Sequence, residues 1–296
     1  MVSSRFIPHF PHLLSTRNSV YQDYLQNLLS LNSFDWATDR YSVLYHGNAT
    51  FELQLKSKNI VLAGLDELIF LFGSKFKLDT LFKDGDFVSS SSILTITGDC
   101  SEILKYERFI VDLVSSMSSV STNTRAFSEL LDAPRQIAAT RKSLLSLLYK
   151  KAVSIGGGIT HRINLDHAVI FKDTSKLRDF SSLLEEFMSN LSLFSGLDFV
   201  EFEIETDSEF KQLVDFIELN DCKFPIGIMF DNFDPQLIAK LLNDSKADKF
   251  AFIEVSGGIS LNNLPTFNAL GIDIVSSSQL YRTNNYPDFS LELLRK

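Results

Sequence analysis

Residues 198–231, with the sequence DFVEFEIETDSEFKQLVDFIELNDCKFPIGIMFD, decide the fold class of this chain. Runs rich in aromatic and β-branched residues predict strands at 198–204 and 225–230. Between them, apolar residues at three- and four-residue spacing predict a helix over 208–219. A strand, a helix and a second strand in this order form a βαβ unit with parallel strands, which is typical of an α/β protein.

The same alternation extends on both sides of this segment. Further strands are predicted at 136–140, 167–171, 250–255 and 272–275, and helices at 144–155, 177–193, 235–242 and 261–270. Consecutive strands begin 22 to 31 residues apart. This spacing suits a βα barrel, and an open doubly wound sheet is the alternative.

The first 130 residues have a different pattern. Strands are predicted at 51–55, 60–62 and 93–97, a turn at 83–86, and helices at 21–31 and 65–72, which indicates an α+β domain. A long helix predicted over 101–131 leads from this domain into the alternating region.

The composition of the 296 residues, 45% hydrophobic and 22% charged, is that of a compact globular protein. A net charge of −9 argues against a surface that binds nucleic acid or anionic lipid. The longest apolar stretch, 60–72, is interrupted by Asp66 and Glu67 and is too short to span a membrane. The N-terminus lacks the pattern of a secretory signal. Cys100 and Cys222 are far apart, which favours a reducing cytoplasm over a disulfide framework or a zinc site.

Charge is distributed unevenly along the chain. Residues 135–178 carry nine Lys or Arg against two acids, whereas residues 179–221 carry twelve acids against one lysine. Two solvated helix faces of opposite sign are one interpretation. The position of the polar residues favours another, because they follow the predicted strands, and the carboxyl ends of parallel strands share one rim where α/β proteins bind ligands.

The cations of this rim concentrate at Arg141-Lys142, His161-Arg162 and Lys172. Guanidinium groups bind carboxylates bidentately, and lysine ammonium groups suit phosphate oxygens. The cations therefore indicate a ligand with both kinds of anion, with surface ion pairs as the alternative.

Acids and glycines complete the rim. Glu203 and Asp231 end neighbouring predicted strands, where carboxylates can bind a magnesium ion that is also bound to a pyrophosphate. The alternative is that these two acids cap helices or are simply solvated. Ser256-Gly257-Gly258 lies between a predicted strand and a predicted helix, so its backbone N–H groups are expected to bind a phosphate. The serines 276–278 end the next strand and are placed to complete this phosphate site.

Taken in order, these motifs resemble the quinolinate phosphoribosyltransferase family over about residues 45–280. The residues that carry the resemblance are Glu107-Arg108, Thr140-Arg141-Lys142, Lys151-Ala152-Val153, Gly156-Gly157-Gly158, His161-Arg162, Lys172-Asp173, Val200-Glu201-Phe202-Glu203, Asp231-Asn232 and Glu254-Val255-Ser256-Gly257-Gly258-Ile259.

The resemblance implies an α/β fold in two parts. An N-terminal α/β sandwich would cover 1–125 and be joined by the tail 283–296, and an irregular, open βα barrel of the TIM type would cover 126–282 and carry the active-site rim. The implied reaction transfers the phosphoribosyl group of phosphoribosyl pyrophosphate to quinolinate with decarboxylation. Its products are nicotinate mononucleotide, pyrophosphate and CO₂, a step of NAD biosynthesis in the cytoplasm. The cofactor would be Mg²⁺, and the enzyme would work as a homodimer or a higher assembly of dimers.

The resemblance also implies a role for each site residue. Arg108 would reach into the neighbouring subunit's site, and the substrate carboxylates would be held by Arg141, His161, Arg162 and Lys172. The catalytic group would be Lys142, Lys172, Glu203 and Asp231, of which the two lysines face the donor and the two acids face its ribose and the Mg²⁺ ion. The donor's 5′-phosphate would lie against Ser256, Gly257, Gly258 and Ser278.

Several positions depart from the family pattern. Leu144-Leu145-Ser146-Leu147 replaces a proline and a glycine, Thr174 and Ser175 replace Asn-His, and Ser278 replaces a glycine. Two alternatives therefore stay open. One is a related type II phosphoribosyltransferase with another acceptor, such as nicotinate, or the molybdenum-transport-associated homologue. The other is an inactive relative that binds phosphorylated ligands or serves as an assembly subunit.

Overall fold

The computed structural model describes residues 5–32, 44–57, 59–175, 179–220, 222, 224–243, 247–282 and 286–294. The chain forms two compact units. The first, here called the barrel unit, comprises 1–10, 127–140 and 159–279, and the second, the sandwich unit, comprises 11–126, 141–158 and 280–296. This grouping places 1–10 with the barrel and 141–158 with the sandwich, whereas the sequence predicts domains over 1–125 and 126–282.

The described residues form the following elements. The helices are α1 (Ser19–Leu31), α2 (Leu65–Phe72), α3 (Cys100–Ser128), α4 (Ser146–Ile155), α5 (Phe180–Ser189), α6 (Asp207–Leu219) and α7 (Pro235–Asn243). The strands are β1 (Asn48–Leu55), β2 (Ile60–Val61), β3 (Lys77–Asp79), β4 (Phe87–Val88), β5 (Ser92–Asp99), β6 (Gln136–Ala138), β7 (Ala168–Phe171), β8 (Phe199–Ile204), β9 (Ile226–Asp231), β10 (Phe252–Ser256), β11 (Ile274–Ser276) and β12 (Phe289–Leu293). Among these residues, no helix is both long and apolar enough to cross a bilayer.

The sandwich unit contains an antiparallel sheet in the order β12-β1-β5-β3 and a small β2-β4 pair. The serine-rich part of α3 packs against the β2 segment, because its small hydroxyl side chains bond directly to that backbone. Ser118 Oγ accepts from the amide of Ala63 at 3.0 Å, and Ser121 Oγ donates to the carbonyl of Val61 at 2.6 Å. The serines are therefore explained by close packing between a helix and an extended segment.

The barrel unit contains the parallel sheet that the sequence predicts, in the order β6-β11-β10-β9-β8-β7. Strands β6 and β7 are the two edges, and each contributes a buried alanine to the same apolar cluster as the central strands. This cluster, here called the floor, consists of Ala138, Ile159, Ala168, Phe199, Phe252 and Ile274. Because side chains from both edges meet in one cluster, the sheet is strongly curved, and the prediction of a barrel-like α/β fold is confirmed.

The prediction of a helix at 261–270 is only partly right, because a short 3₁₀-helix at Leu264–Ala269 takes its place. Polar side chains compete for the backbone there: Asn263 Oδ1 accepts from the amide of Ser260 at 2.8 Å, and Thr266 Oγ1 donates to the carbonyl of Asn263 at 2.6 Å. Strands β3 and β4 were not predicted, because two or three residues carry no readable alternation.

Candidate active site

The register of the parallel strands defines which side chains face the barrel interior. Glu201 pairs with Gly227 and Gly227 with Phe252, and one step further along Glu203 pairs with Met229 and Met229 with Glu254. The next row pairs Asp231 with Ser256. Paired residues lie on the same side of a sheet, and every second residue of a strand does so too. The interior therefore changes from an aromatic floor through a row containing acids to a polar rim at the carboxyl ends of the strands.

Three buried ionisable side chains lie directly above the floor, namely His161, Glu201 and Glu254, here called the barrel cluster. His161 Nε2 lies 2.9 Å from Glu254 Oε2 and 3.4 Å from Glu201 Oε2. The imidazole ring stands edge-on to Phe199 and Phe252, with centroid distances of 5.4 and 6.3 Å. His161 also has a left-handed backbone with φ of 52°, which is uncommon for a side chain of this size.

Burial and mutual repulsion control the protons of this cluster. Burial, followed by the charge of Glu254, raises the pKa of Glu201 to about 7. Burial alone would lower the pKa of His161, but the charges of Glu254 and Glu201 outweigh it and raise that pKa to about 9. The backbone N–H of Arg162 donates to His161 Nδ1 at 2.9 Å, which requires an unprotonated Nδ1. A ring with a pKa of about 9 carries a proton on both nitrogens at neutral pH, so this contact and the raised pKa describe different protonation states of the ring.

The two other predicted cations of the barrel unit, Arg162 and Lys172, lie beside acids of the same interior face. The buried Arg162 side chain donates from Nη1 to the carbonyl of Ala168 at 3.3 Å, and its charge lowers the pKa of Glu201. Lys172, just beyond β7, forms an ion pair with the buried Glu203 at the end of β8. His161, Arg162, Lys172 and Glu203 are thus all in the barrel unit, as the predicted rim requires.

The loop after β10 has the features of a phosphate site. Gly257 has φ of 93°, and an added Cβ would lie 2.3 Å from Asn232 Oδ1, so a side chain does not fit there. Within the described residues, the N–H groups of Gly257, Gly258 and Ile259 donate to no protein acceptor. Ser277 Oγ donates to the carbonyl of Ile259 at 2.7 Å and thereby ties this loop to the segment after β11. The half-buried Ser278 follows and begins a 3₁₀-turn.

The other predicted site residues, Arg108, Arg141 and Lys142, belong to the sandwich unit. Arg141 and Lys142 are exposed, and Arg141 makes no hydrogen bond or ion pair with the residues that the structure describes. Arg108 on α3 is exposed, and its Nη1 lies 3.8 Å from Asp112. Their roles remain predictions.

The barrel cluster shows what reasoning from sequence alone missed. Glu201 and Glu254 belong to motifs of the family resemblance but are not among the predicted site residues, and both are buried. The available signal was glutamate at every second position of an otherwise apolar strand, Val200-Glu201-Phe202-Glu203, which places two acids on one face.

The barrel unit has two acidic groups that could bind a metal ion, namely the barrel cluster and the pair Glu203 and Asp231. Among the described residues, the barrel cluster is the one group of three His or acidic side chains with ligand atoms close enough for a metal ion. Cationic groups of the protein already face its acids, since His161 Nε2 lies between the two carboxylates and the charge of Arg162 lowers the pKa of Glu201. Glu203 and Asp231 fit Mg²⁺ better, because they lie on the interior face at the rim and Asp231 is only half-buried.

Comparisons with known proteins are consistent along the chain. A family model described as the C-terminal domain of quinolinate phosphoribosyl transferase matches residues 120–292, and one described as its N-terminal domain matches residues 35–118. The chain is 31% identical over 255 residues to a probable carboxylating nicotinate-nucleotide pyrophosphorylase of Methanocaldococcus jannaschii, covering 82% of this chain and 86% of that protein. A protein of the same description from Synechocystis is 28% identical over 273 residues, covering 88% of each.

Solved structures agree. The structure of NadC from Streptococcus pyogenes is similar with a TM-score of 0.75 and 27% identity, covering 93% of this chain and 97% of that one. Nicotinate-nucleotide pyrophosphorylase from Ehrlichia chaffeensis has a TM-score of 0.78 at 21% identity, covering 93% and 98% of the two chains, and at that identity the likeness concerns the fold.

Proposed function

This chain belongs to the quinolinate phosphoribosyltransferase family, and we propose that the interior rim of its barrel unit contributes the binding site of the phosphoribosyl donor. It is an enzyme of the phosphoribosyltransferase class. The reaction joins quinolinate to the phosphoribosyl group of phosphoribosyl pyrophosphate and releases pyrophosphate and CO₂, giving nicotinate mononucleotide in NAD biosynthesis.

The main support for the proposal is that residues at the carboxyl ends of neighbouring strands lie on the same interior face of the sheet. Glu203, Asp231 and Ser256 lie on that face in three neighbouring strands. A donor with a phosphate, a ribose and a pyrophosphate needs N–H groups, carboxylates and cations within one site, and this rim has all three.

The proposed roles follow the chemistry of each group. Ser256, Gly257, Gly258 and Ser278 bind the 5′-phosphate through the loop after β10 and the segment after β11. Glu203 and Asp231 face the ribose, where positive charge develops as pyrophosphate leaves, and a carboxylate stabilises that charge. Lys142 and Lys172 face the departing pyrophosphate, whose negative charge they balance.

The acceptor is held by cations. Arg141 and Arg162 bind the two carboxylates of quinolinate, since guanidinium matches carboxylate geometry, and Lys172 and His161 support them. Loss of CO₂ follows because the positively charged ring nitrogen stabilises the electron pair that the departing carboxylate leaves on the adjacent ring carbon, and a proton from water then takes the place of the carboxylate.

Glu203 and Asp231 would hold Mg²⁺ together with the pyrophosphate of the donor. When bound, this ion supplies positive charge that stabilises the leaving group. We also place the enzyme in the cytoplasm as a homodimer or an assembly of dimers, in which the exposed Arg108 of α3 completes the site of the neighbouring subunit.

The test is product analysis by mass spectrometry after incubation with quinolinate, phosphoribosyl pyrophosphate and Mg²⁺. We expect nicotinate mononucleotide, with CO₂ and pyrophosphate released in equal amounts. A parallel incubation replaces quinolinate with nicotinate, which has no second carboxylate to lose, and pyrophosphate release there but not with quinolinate would indicate the alternative acceptor. Arg141→Ala is expected to lower kcat/KM for quinolinate about a hundredfold or more, because an ionic contact to the substrate is lost.

The matched control is Lys211→Ala. Lys211 on α6 is exposed, and its Nζ lies 3.6 Å from Asp207 on the same helix. This variant is expected to keep the wild-type rate, and unfolding curves of both variants verify that the fold is retained. Full activity of Arg141→Ala would contradict the role proposed for Arg141.

A further inference from the structure

We propose that Asn232 is a positioning residue for the phosphoribosyl donor. Its side chain fixes the place of the Asp231 carboxylate relative to the loop after β10, so that the two together fit the ribose and the 5′-phosphate of one molecule. This inference rests on the proposed function, which places the ribose at Asp231 and the 5′-phosphate at that loop. The family resemblance includes Asn232 in a motif but implies no role for it.

The first argument is that the backbone at Asn232 turns its side chain back toward Asp231. Asp231 pairs with Ser256 at the end of β9, and the amide of Asn232 donates to the carbonyl of Ser256 at 3.0 Å. In an extended strand, successive side chains point to opposite faces, so residue 232 would face away from Asp231. Asn232 instead has a left-handed backbone with φ of 57°, which asparagine adopts more readily than most residues. The side-chain bond between these two neighbours depends on this turn.

The second argument is that the two polar atoms of the Asn232 side chain have different neighbours. Nδ2 donates to Asp231 Oδ2 at 2.8 Å. Only the nitrogen of an amide can donate to a carboxylate, so Oδ1 is free to face the loop after β10. A Cβ added to Gly257 would lie 2.3 Å from this Oδ1 and 2.7 Å from the backbone nitrogen of Asn232. Asn232 therefore packs against both the acid and the loop, and it takes the space that a side chain at position 257 would need.

The third argument is that both groups next to Asn232 remain open to a ligand. Within the part of the chain that the structure describes, Asp231 Oδ1 accepts from no protein donor, so the bond from Asn232 leaves one carboxylate oxygen for the ribose. The N–H groups of Gly257 and Gly258 are likewise unused by the described protein acceptors. The loop is held in shape by Asn263, whose Nδ2 donates to the carbonyl of Gly258 at 3.1 Å. Asn232 then links this loop to the acid.

The chemistry of the donor explains why such a link matters. Its 5′-phosphate and its ribose hydroxyls are joined by a few covalent bonds, so a site that binds both must hold its carboxylate and its N–H groups at a matching separation. A side chain packed between the two groups sets that separation. Quinolinate has neither a phosphate nor a hydroxyl, so its binding does not depend on this separation.

The test is calorimetric titration of phosphoribosyl pyrophosphate, with Mg²⁺ and without quinolinate, into wild-type protein and Asn232→Gly. Glycine keeps the left-handed backbone and removes the side chain. We expect the Kd for the donor to rise about tenfold or more, since a hydrogen bond to a charged group is lost. The KM for quinolinate at saturating donor should stay within about twofold of wild type. Unchanged donor affinity, or equal losses for donor and quinolinate, would overturn the proposal.

A second variant, Asn232→Asp, separates the side-chain bond from the turn. Aspartate also tolerates a left-handed backbone and has nearly the same shape, but it has an oxygen in place of the donating nitrogen. A role in the turn alone predicts wild-type affinity for the donor. We expect the Kd to rise at least as much as in Asn232→Gly, because two carboxylates then repel each other beside the donor site. Wild-type affinity in Asn232→Asp would overturn the proposal even if Asn232→Gly did not fold.

Asn59→Gly is the matched control. Asn59 belongs to the sandwich unit, is exposed, has φ of 58°, and accepts from Ser89 Oγ at 2.8 Å through its own Oδ1. It thus repeats the left-handed backbone and the side-chain bond outside the barrel unit, and this variant should bind the donor as wild type does. An equal loss of donor affinity in Asn59→Gly would overturn the specific role of Asn232.

Turnover of quinolinate by the wild-type protein is measured in the same series. Absence of that turnover would count against the proposed function. A wild-type enzyme that turns over quinolinate, together with an Asn232→Gly variant that binds the donor normally, would count against the positioning role alone.

Discussion

Each of the two units buries a cluster of charged groups, and the two clusters are built differently. In the sandwich unit, Lys151 Nζ lies 2.7 Å from Glu67 Oε1, the Tyr21 hydroxyl donates to the same oxygen at 2.9 Å, and Asp84 lies nearby. These four residues are here called the lysine cluster. In the barrel cluster, two buried glutamates share one histidine nitrogen.

The lysine cluster connects structural elements, whereas the barrel cluster has the features of a functional site. The lysine cluster joins α1, α2, the turn before β4 and α4, and Asp84 Oδ1 accepts the Leu65 amide at the start of α2 at 2.9 Å. Its members connect these elements, and the side chain of Lys151 is partly exposed at the edge of the cluster. The barrel cluster rests on aromatic packing, has more acids than its histidine can match, and includes a left-handed residue, which are features of functional sites.

The largest effect is expected from Lys151→Met. This change leaves the fully buried Glu67 without its cation, and breaking such a pair costs about 3–5 kcal/mol of unfolding free energy. Urea unfolding measures the loss of unfolding free energy. The kcat per folded molecule should be unchanged, because the lysine cluster has a structural role only. Lys211→Met, which breaks an exposed pair, is the control and should cost about 0–1 kcal/mol. A stable but inactive Lys151→Met would remove the distinction between the clusters.

Gly227→Ala perturbs the floor beneath the barrel cluster. An added Cβ would lie 2.2 Å from the ring of Phe252, so the ring must shift, at a cost of about 1–3 kcal/mol. Because Phe252 borders His161, we also expect KM for quinolinate to rise. Gly271→Ala is the control, since its nearest neighbour is Leu242 Cδ1 at 3.9 Å. Steady-state kinetics and thermal unfolding test this prediction, which fails if both variants behave alike.

The smallest effect concerns pH. Burial, then the charge of Glu67, raises the pKa of Asp84 to about 7. A carboxyl whose pKa is higher in the folded state adds stability below its unfolded pKa of about 4 and loses it as pH rises through about 7. The unfolding free energy of Asp84→Asn, relative to that of wild type, should therefore rise by about 1–2 kcal/mol as the pH increases from 5 to 8. Unfolding curves at both pH values check the slope, and parallel pH profiles would contradict it.

Much of the barrel unit is readable from sequence because its strands are long enough to show composition and alternation. All six predicted strands of the parallel sheet are confirmed, and the Gly257-Gly258 loop follows β10 as expected. The sandwich unit is less readable. Its strand β12 pairs with β1, two segments separated by most of the chain, and no local pattern encodes such a partner.

The amino-acid order by itself determined the alternation of strands and helices, the shared strand face of Glu201 and Glu203, and the glycine pair 257–258 that follows a strand. The tertiary structure decided that Glu201 and Glu254, from β8 and β10, meet one nitrogen of His161. The physical reason is that periodicity is a property of neighbours along the chain, whereas the meeting of these side chains depends on the strand register and on the curvature of the sheet.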